Sequence, residues 1–185
     1  MHVTKIKPAI ALVLLLSIAG LAQASVPLAP SPDHNRGPEL PSPICDLLQV
    51  PAGNRLALRA YAVGSQLYRW DGIAWVFVEP VATLFADADY HEKVAVHYLG
   101  PTWEHNNGGK VVATKLQPCT PDPTAIPWLL LQTVTNDGPN PFGAVSYIQR
   151  VNTKGGLAPT AAGHSIGQVV EVPYTAEYYF YRPRD

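Results

Sequence analysis

Between Lys93 and Leu116 the chain reads KVAVHYLGPTWEHNNGGKVVATKL, and within it stand His97, Tyr98, Trp103, Glu104 and His105, with His91 and Glu92 just upstream. No other stretch gathers so many groups able to bind a ligand or move a proton. An imidazole beside a carboxylate is the smallest general acid–base unit, because the carboxylate holds the imidazole pKa near neutrality. His97 and Glu104 are therefore candidate catalytic residues for a hydrolase, lyase or isomerase. They must be brought together by the break at Gly100-Pro101, since successive side chains on a strand point to opposite faces. His97 shares a face with Ala95 and Lys93, and Tyr98 with Val94 and Val96, so the plain structural reading puts Tyr98 in the core and His97 at the surface or on a wet concavity.

Trp103, with polar neighbours, suits the wall of a pocket for a sugar or a planar ligand. Tyr98, Arg150 and Asp87 join it as candidate ligand-binding residues. Arg150 ends an otherwise apolar run, AVSYIQR, and is either paired with an acid such as Asp87 or Glu104 or aimed at an anionic ligand. The reading favoured is a module binding a small polar or carbohydrate-like molecule near His97, Trp103 and Glu104. The acid–base enzyme is the alternative. A third reading makes these residues a structural tie, with the protein working through its surface or its proline-rich arm.

Other chemistries find less. His91, His97, His105 and Glu104 are of metal-ligand type, but their spacing matches no HExxH pattern and no metal is expected. Ser146 and Ser165 lack a nucleophile elbow, and there is neither a Gly-x-Gly-x-x-Gly fingerprint nor a phosphate loop, so no cofactor is expected. A formal net charge of −1 with 15% charged residues offers no clustered basic surface, which argues against nucleic acid and anionic membrane as partners. Nothing in the sequence sets an oligomeric state.

The elements that must position these residues follow an N-terminus of secretory type. Lys5 and Lys7 precede an apolar run, Ala9 to Ala19, that closes on Ala22-Gln23-Ala24. Residues 1–24 are read as a signal peptide cleaved after Ala24, and the run is too short for a membrane span, which needs about 20 residues. The mature protein is thus expected to be secreted or periplasmic, with no membrane partner after cleavage. Residues 25–44, with six prolines from Ser25 to Pro43, read as a flexible arm. The two cysteines, Cys45 and Cys119, are a candidate disulfide in an oxidising compartment.

Residues 45–185 read as a single β domain. Arg55 to Val63 alternates as a strand, and Gln66–Trp70, Asp71-Gly72 and Ile73–Val78 predict a type I′ hairpin that Pro80 should end. Lys93–Leu99 and Lys110–Leu116 supply two strands, and the prolines from 118 to 123 a loop. Ile126–Val134 reads as a strand buried on both faces, followed by Ala144–Val151, Gln168–Val172 and Ala176–Tyr181, the last two divided by Pro173. Nine or ten short strands spaced by turn signals indicate an all-β antiparallel sandwich or barrel, with the choice between them open.

Five blocks carry a family resemblance: Phe85-Ala86-Asp87-Ala88; His97-Tyr98-x-Gly100-Pro101-Thr102-Trp103-Glu104; Ile126-Pro127-Trp128-Leu129-Leu130-Leu131; Ile148-Gln149-Arg150-Val151-x-Thr153-x-Gly155-Gly156; and Pro173-Tyr174-Thr175-Ala176-Glu177-Tyr178-Tyr179-Phe180-Tyr181. From Leu48 to Tyr181 the chain resembles the domain-of-unknown-function 3455 family of exported bacterial and fungal proteins. That resemblance implies one extracytoplasmic domain and no established activity. Some fungal members carry a "malate dehydrogenase" label, which the missing dinucleotide fingerprint contradicts here. The chain departs from the family at Asn107-Gly108-Gly109, where Asp-Gly-Ser is frequent, and at Gly163, where a Cys is frequent, so no disulfide pattern carries over.

Overall fold

The structure, a computed structural model, describes Met1 and residues 36–184. The signal peptide read at 1–24, and the proline-rich arm as far as residue 35, lie outside the described residues. Eight antiparallel strands form one closed barrel. They are β1 (Asn54–Trp70), β2 (Trp75–Phe85), β3 (Lys93–Tyr98), β4 (Thr102–His105), β5 (Lys110–Cys119), β6 (Trp128–Asp137), β7 (Tyr147–Gly155) and β8 (Val169–Pro183). Each strand pairs with the next in sequence, and β8 closes on β1. The architecture is the expected all-β one, resolved as a barrel, and closure gives every described strand a neighbour on both sides over at least part of its length.

The strands are fewer and longer than the turn signals suggest, and Gly64, Pro80, Pro118 and Pro173 account for it. Gly64 lies within β1, where β2 crosses so closely that a side chain would collide with the Val81 carbonyl and Ala82. The three prolines sit inside β2, β5 and β8 and end no ladder. Pro80 is paired to Gln66 of β1, but β3 meets β2 only from Ala82. Pro118 is paired to Leu129 of β6, but β4 meets β5 only as far as Val112. Pro173 is paired to Ser65 of β1, but β7 meets β8 only as far as Tyr174. Each stands where its strand is partnered on one side only, a place that tolerates a missing N–H.

The expected two-residue turn at Asp71-Gly72 is a four-residue loop, Asp71 to Ala74, between the paired Trp70 and Trp75. The Asp71 carboxylate accepts the N–H groups of Ile73 and Ala74, both at 2.8 Å, and only Gly72 adopts a positive φ. The side-chain acceptor thus selects a wider loop than the dipeptide alone would.

Two apolar clusters result. The first fills the barrel and includes Ala60, Leu84, Ala95, Trp103, Val111, Leu131, Ile148, Tyr178 and Phe180. Phe142, on the short 3-10 turn Phe142–Ala144, belongs to it and packs on Phe180 with ring centroids 4.6 Å apart. The second lies on the outer face of β6 to β8 and unites Cys45, Leu48, Trp128, Val151, Tyr179 and Tyr181, with Leu40 and Val50 packed against it. Cys45 and Cys119 are joined as the disulfide, with a Cα–Cα distance of 5.4 Å across 74 residues of sequence. That crosslink pins the segment around the 3-10 turn Asp46–Leu48 onto the barrel wall.

Candidate functional site

The β3–β4 hairpin is short. It pairs with β2 only from Ala82 and with β5 only to Val112, so a notch remains in the wall above the turn at Leu99-Gly100-Pro101. At this notch lies a cavity of about 470 Å³ reaching into the barrel. Its rim is Phe77, Val78, Leu99, Gly100, Pro101, Lys115 and Pro118, and its deeper wall is Gln66, His97, Trp103, Leu131, Arg150 and Tyr178. The pyrrolidine rings of Pro80, Pro101, Pro118 and Pro127 and the side chains of Ile126 and Leu129 make the remaining surface predominantly apolar.

Strand alternation decides what enters. His97 is paired to Trp103 across β3 and β4, so both project inward, and their rings stack at 4.1 Å with planes 4° apart. Tyr178 packs edge-on against both, at 5.5 and 5.6 Å. His97 Nδ1 donates to the Thr102 carbonyl at 2.8 Å, which leaves Nε2 without a proton. Burial, reinforced by the positive charge of Arg150, lowers the His97 pKa to about 3 although the backbone bond opposes it. The imidazole is therefore neutral at physiological pH.

Three residues that line the cavity also carry buried nitrogens with no hydrogen bond of good geometry. Gln66 is 3% exposed and Trp103 1%, and Gln66 Nε2 and Trp103 Nε1 have no hydrogen-bond partner. Arg150 donates from Nη2 to the Pro127 carbonyl at 2.8 Å, while its buried Nε is unpartnered. The Tyr174 and Tyr178 hydroxyls lie 3.4 Å apart, and burial raises both phenol pKa values, an effect that the charge of Arg150 opposes. Gln66 and Arg150 approach these two hydroxyls without forming a hydrogen bond of good geometry. Among the described residues no carboxylate lines the cavity, and none is in an ion pair with Arg150.

The remaining candidates are distributed elsewhere. Glu104 is paired to Val96 and Lys110 and projects outward, so it and His97 stand on opposite faces of the wall. The acid–base pair is not assembled. Outside, the Tyr98 hydroxyl donates to Glu104 Oε2 at 2.7 Å, and Lys110 Nζ lies 3.3 Å from the same oxygen. The Tyr98 hydrogen bond, followed by Lys110, holds the Glu104 carboxyl below its usual range. Tyr98 is thus outside and His97 inside, the reverse of the plain reading. Val94, Ala95 and Val96 make both faces of β3 apolar, and the Trp103 partner decides the orientation.

Asp87 is also away from the cavity. Its carboxylate accepts the N–H groups of Asp89, His91 and Glu92 at 3.0 to 3.3 Å and closes the 86–92 loop. Arg150 is paired with neither Asp87 nor Glu104. The four residues of metal-ligand type are not gathered, since His97 is inside and Glu104 outside. Asp87, Asp89 and His91 do converge within 4.8 Å, on an exposed loop whose backbone already occupies the Asp87 oxygens.

Gln66, Tyr178 and Lys115 belong to the site and were not singled out in sequence. A glutamine in an alternating strand reads as solvent-facing. Tyr178 had a usable signal, because Ala176, Tyr178 and Phe180 alternate on one face of AEYYFY. No helix among the described residues is long and apolar enough to cross a membrane. A family model described as a protein of unknown function, DUF3455, matches residues 51–182, from before β1 into β8. No curated protein and no solved structure matches the chain.

Proposed function

We propose, for a chain that belongs to the DUF3455 family, that the barrel is a binding module for one small, predominantly apolar molecule with a polar end. The observation that carries this is a cavity of about 470 Å³ with a mostly apolar wall lined also by Gln66, Trp103 and Arg150, behind whose surface Gln66 Nε2, Trp103 Nε1 and Arg150 Nε lie buried without a hydrogen bond of good geometry. Buried polar groups are ordinarily hydrogen-bonded, and an orphaned one costs about 1–3 kcal/mol. A ligand that satisfied them while filling an apolar space of this size would recover that cost. A carbohydrate would need polar partners along its whole length, which this wall lacks, so a mixed apolar and polar molecule replaces the sugar suggested by Trp103 alone. The proposal includes export, supported by the secretory pattern of residues 1–24 and by the Cys45–Cys119 disulfide.

Titration with the uncharged dye Nile red, followed by its emission, tests the cavity itself. Saturable binding at one dye per chain is expected, with loss of binding in Leu131→Trp, which fills the interior. A folded native protein that binds no dye, or a Leu131→Trp variant that binds it undiminished, overturns the proposal.

A further inference from the structure

The geometry points to an organic monocarboxylate with an apolar body as the ligand, its carboxylate seated against Arg150 and Gln66 Nε2 inside the barrel. This rests on the cavity being a binding site and adds the charge and the chemical class of the occupant. A guanidinium is always ionised, and its fork of N–H donors matches the two oxygens of a carboxylate. Arg150 spends Nη2 on the Pro127 carbonyl and keeps a buried, unpartnered Nε. Arg150 is half-buried, and setting its charge against an apolar wall without a counter-charge is costly. Yet among the described residues the only other charged one lining the cavity is Lys115 at the rim, a second cation. Among the described residues the wall therefore holds two positive charges and no negative one, a balance that an anionic occupant would restore.

Two further features choose the chemistry. Gln66 is 3% exposed and lines the same cavity, where a turn of its amide would bring a second donor to a second oxygen. Arg150 lines the cavity together with Gln66, His97 and Tyr178, and the Pro127 carbonyl anchors its guanidinium at 2.8 Å. A phosphate or sulfate ester presents three terminal oxygens and needs more donors than an otherwise apolar wall provides. One carboxylate on an apolar body matches the donors and the surface, with Trp103, Leu129 and Leu131 along its length.

The test displaces Nile red from the native protein at pH 7.5 with decanoate, with 1-decanol and with sodium chloride. Decanoate is expected to act at roughly ten- to hundredfold lower concentration than decanol, the scale of a hydrogen-bonded charge. Arg150→Met and Arg150→Gln should still bind the dye, which reports an intact fold, and should bring decanoate to the level of decanol. Gln66→Leu should weaken decanoate severalfold and leave decanol unchanged. Equal displacement by acid and alcohol in the native protein overturns the inference while leaving the cavity proposal standing. So does a preference for decanoate that survives in both Arg150 variants, or chloride stabilising the native protein against heat as well as decanoate does. Failure of the dye to bind at all overturns the cavity proposal, and this inference with it.

Discussion

Strands β7 and β8 carry two buried surfaces on opposite faces, and each contains a glutamine. Outward, Gln149 is 2% exposed and fully engaged: its Nε2 donates to the Leu48 carbonyl at 2.7 Å, and its Oε1 accepts the Tyr181 hydroxyl at 2.6 Å. Inward, Arg150 and Tyr178 line the cavity with Gln66 of β1, which is equally buried and whose amide nitrogen makes no hydrogen bond of good geometry. The outer surface is covered by the chain's own segment, Leu40 to Val50, and locked by the disulfide. The inner surface surrounds empty space. Equal burial thus means opposite things: where every polar atom has its partner the layer is architecture, and where partners are missing the layer is made for something else.

The largest separation of the two surfaces is expected on removing the crosslink. Cys45→Ala with Cys119→Ala should cost about 4 kcal/mol, from freeing a loop of 74 residues in the unfolded chain. Urea denaturation measures it, and Nile red binding below the transition should be unchanged. A loss of binding in step with the crosslink would join the two surfaces into one.

Acidification comes next and acts from inside. The folded pKa of His97, about 3, lies below its ordinary 6.5, so the unfolded chain takes up the proton first. Stability should be flat above about pH 6.5 and fall by about 2 kcal/mol by pH 5, a window above the carboxylates. Denaturation curves across that window, with His97→Gln as the variant that flattens the slope, check it. The outer cluster contains no histidine, so a slope that survives in His97→Gln would contradict the assignment.

The smallest effect is the sharpest comparison. Gln149→Leu strands a carbonyl and a hydroxyl and should cost about 1–2 kcal/mol. Gln66→Leu removes only a poorly aligned approach to the Tyr174 hydroxyl and should change stability by no more than about 0.5 kcal/mol, in either direction. Equal losses in matched denaturation curves would erase the distinction.

Alternation along β1, β5, β7 and β8 made the strands legible in the sequence, and Arg150 stood out as a cation in an apolar run. Orientation was not legible where both faces of a strand are apolar, as in β3, so His97 and Tyr98 exchanged places. The acid–base pair failed for the same reason, since Glu104 is paired to Val96 and not to His97. Strand ends were misread at Pro80 and Pro173 because a proline interrupts only a ladder that needs its N–H, and which neighbour stops short is a property of the closed barrel. A pocket walled by Trp103 was expected from the sequence, and His97, Trp103 and Arg150 do line the cavity, but its position and opening follow from the length of the β3–β4 hairpin relative to β2 and β5, which no local pattern encodes.

The notch left by that hairpin carries a hazard as well as an entrance. Where β2 and β5 run past their neighbours they present unpaired backbone, the kind of surface on which a second molecule can add a strand and begin aggregation. Pro80 and Pro118 stand in those two overhangs, and each removes a donor that an invading strand would need. The same two rings line the cavity. The gap in the barrel wall is thus kept open while a foothold is denied to another copy of the same chain.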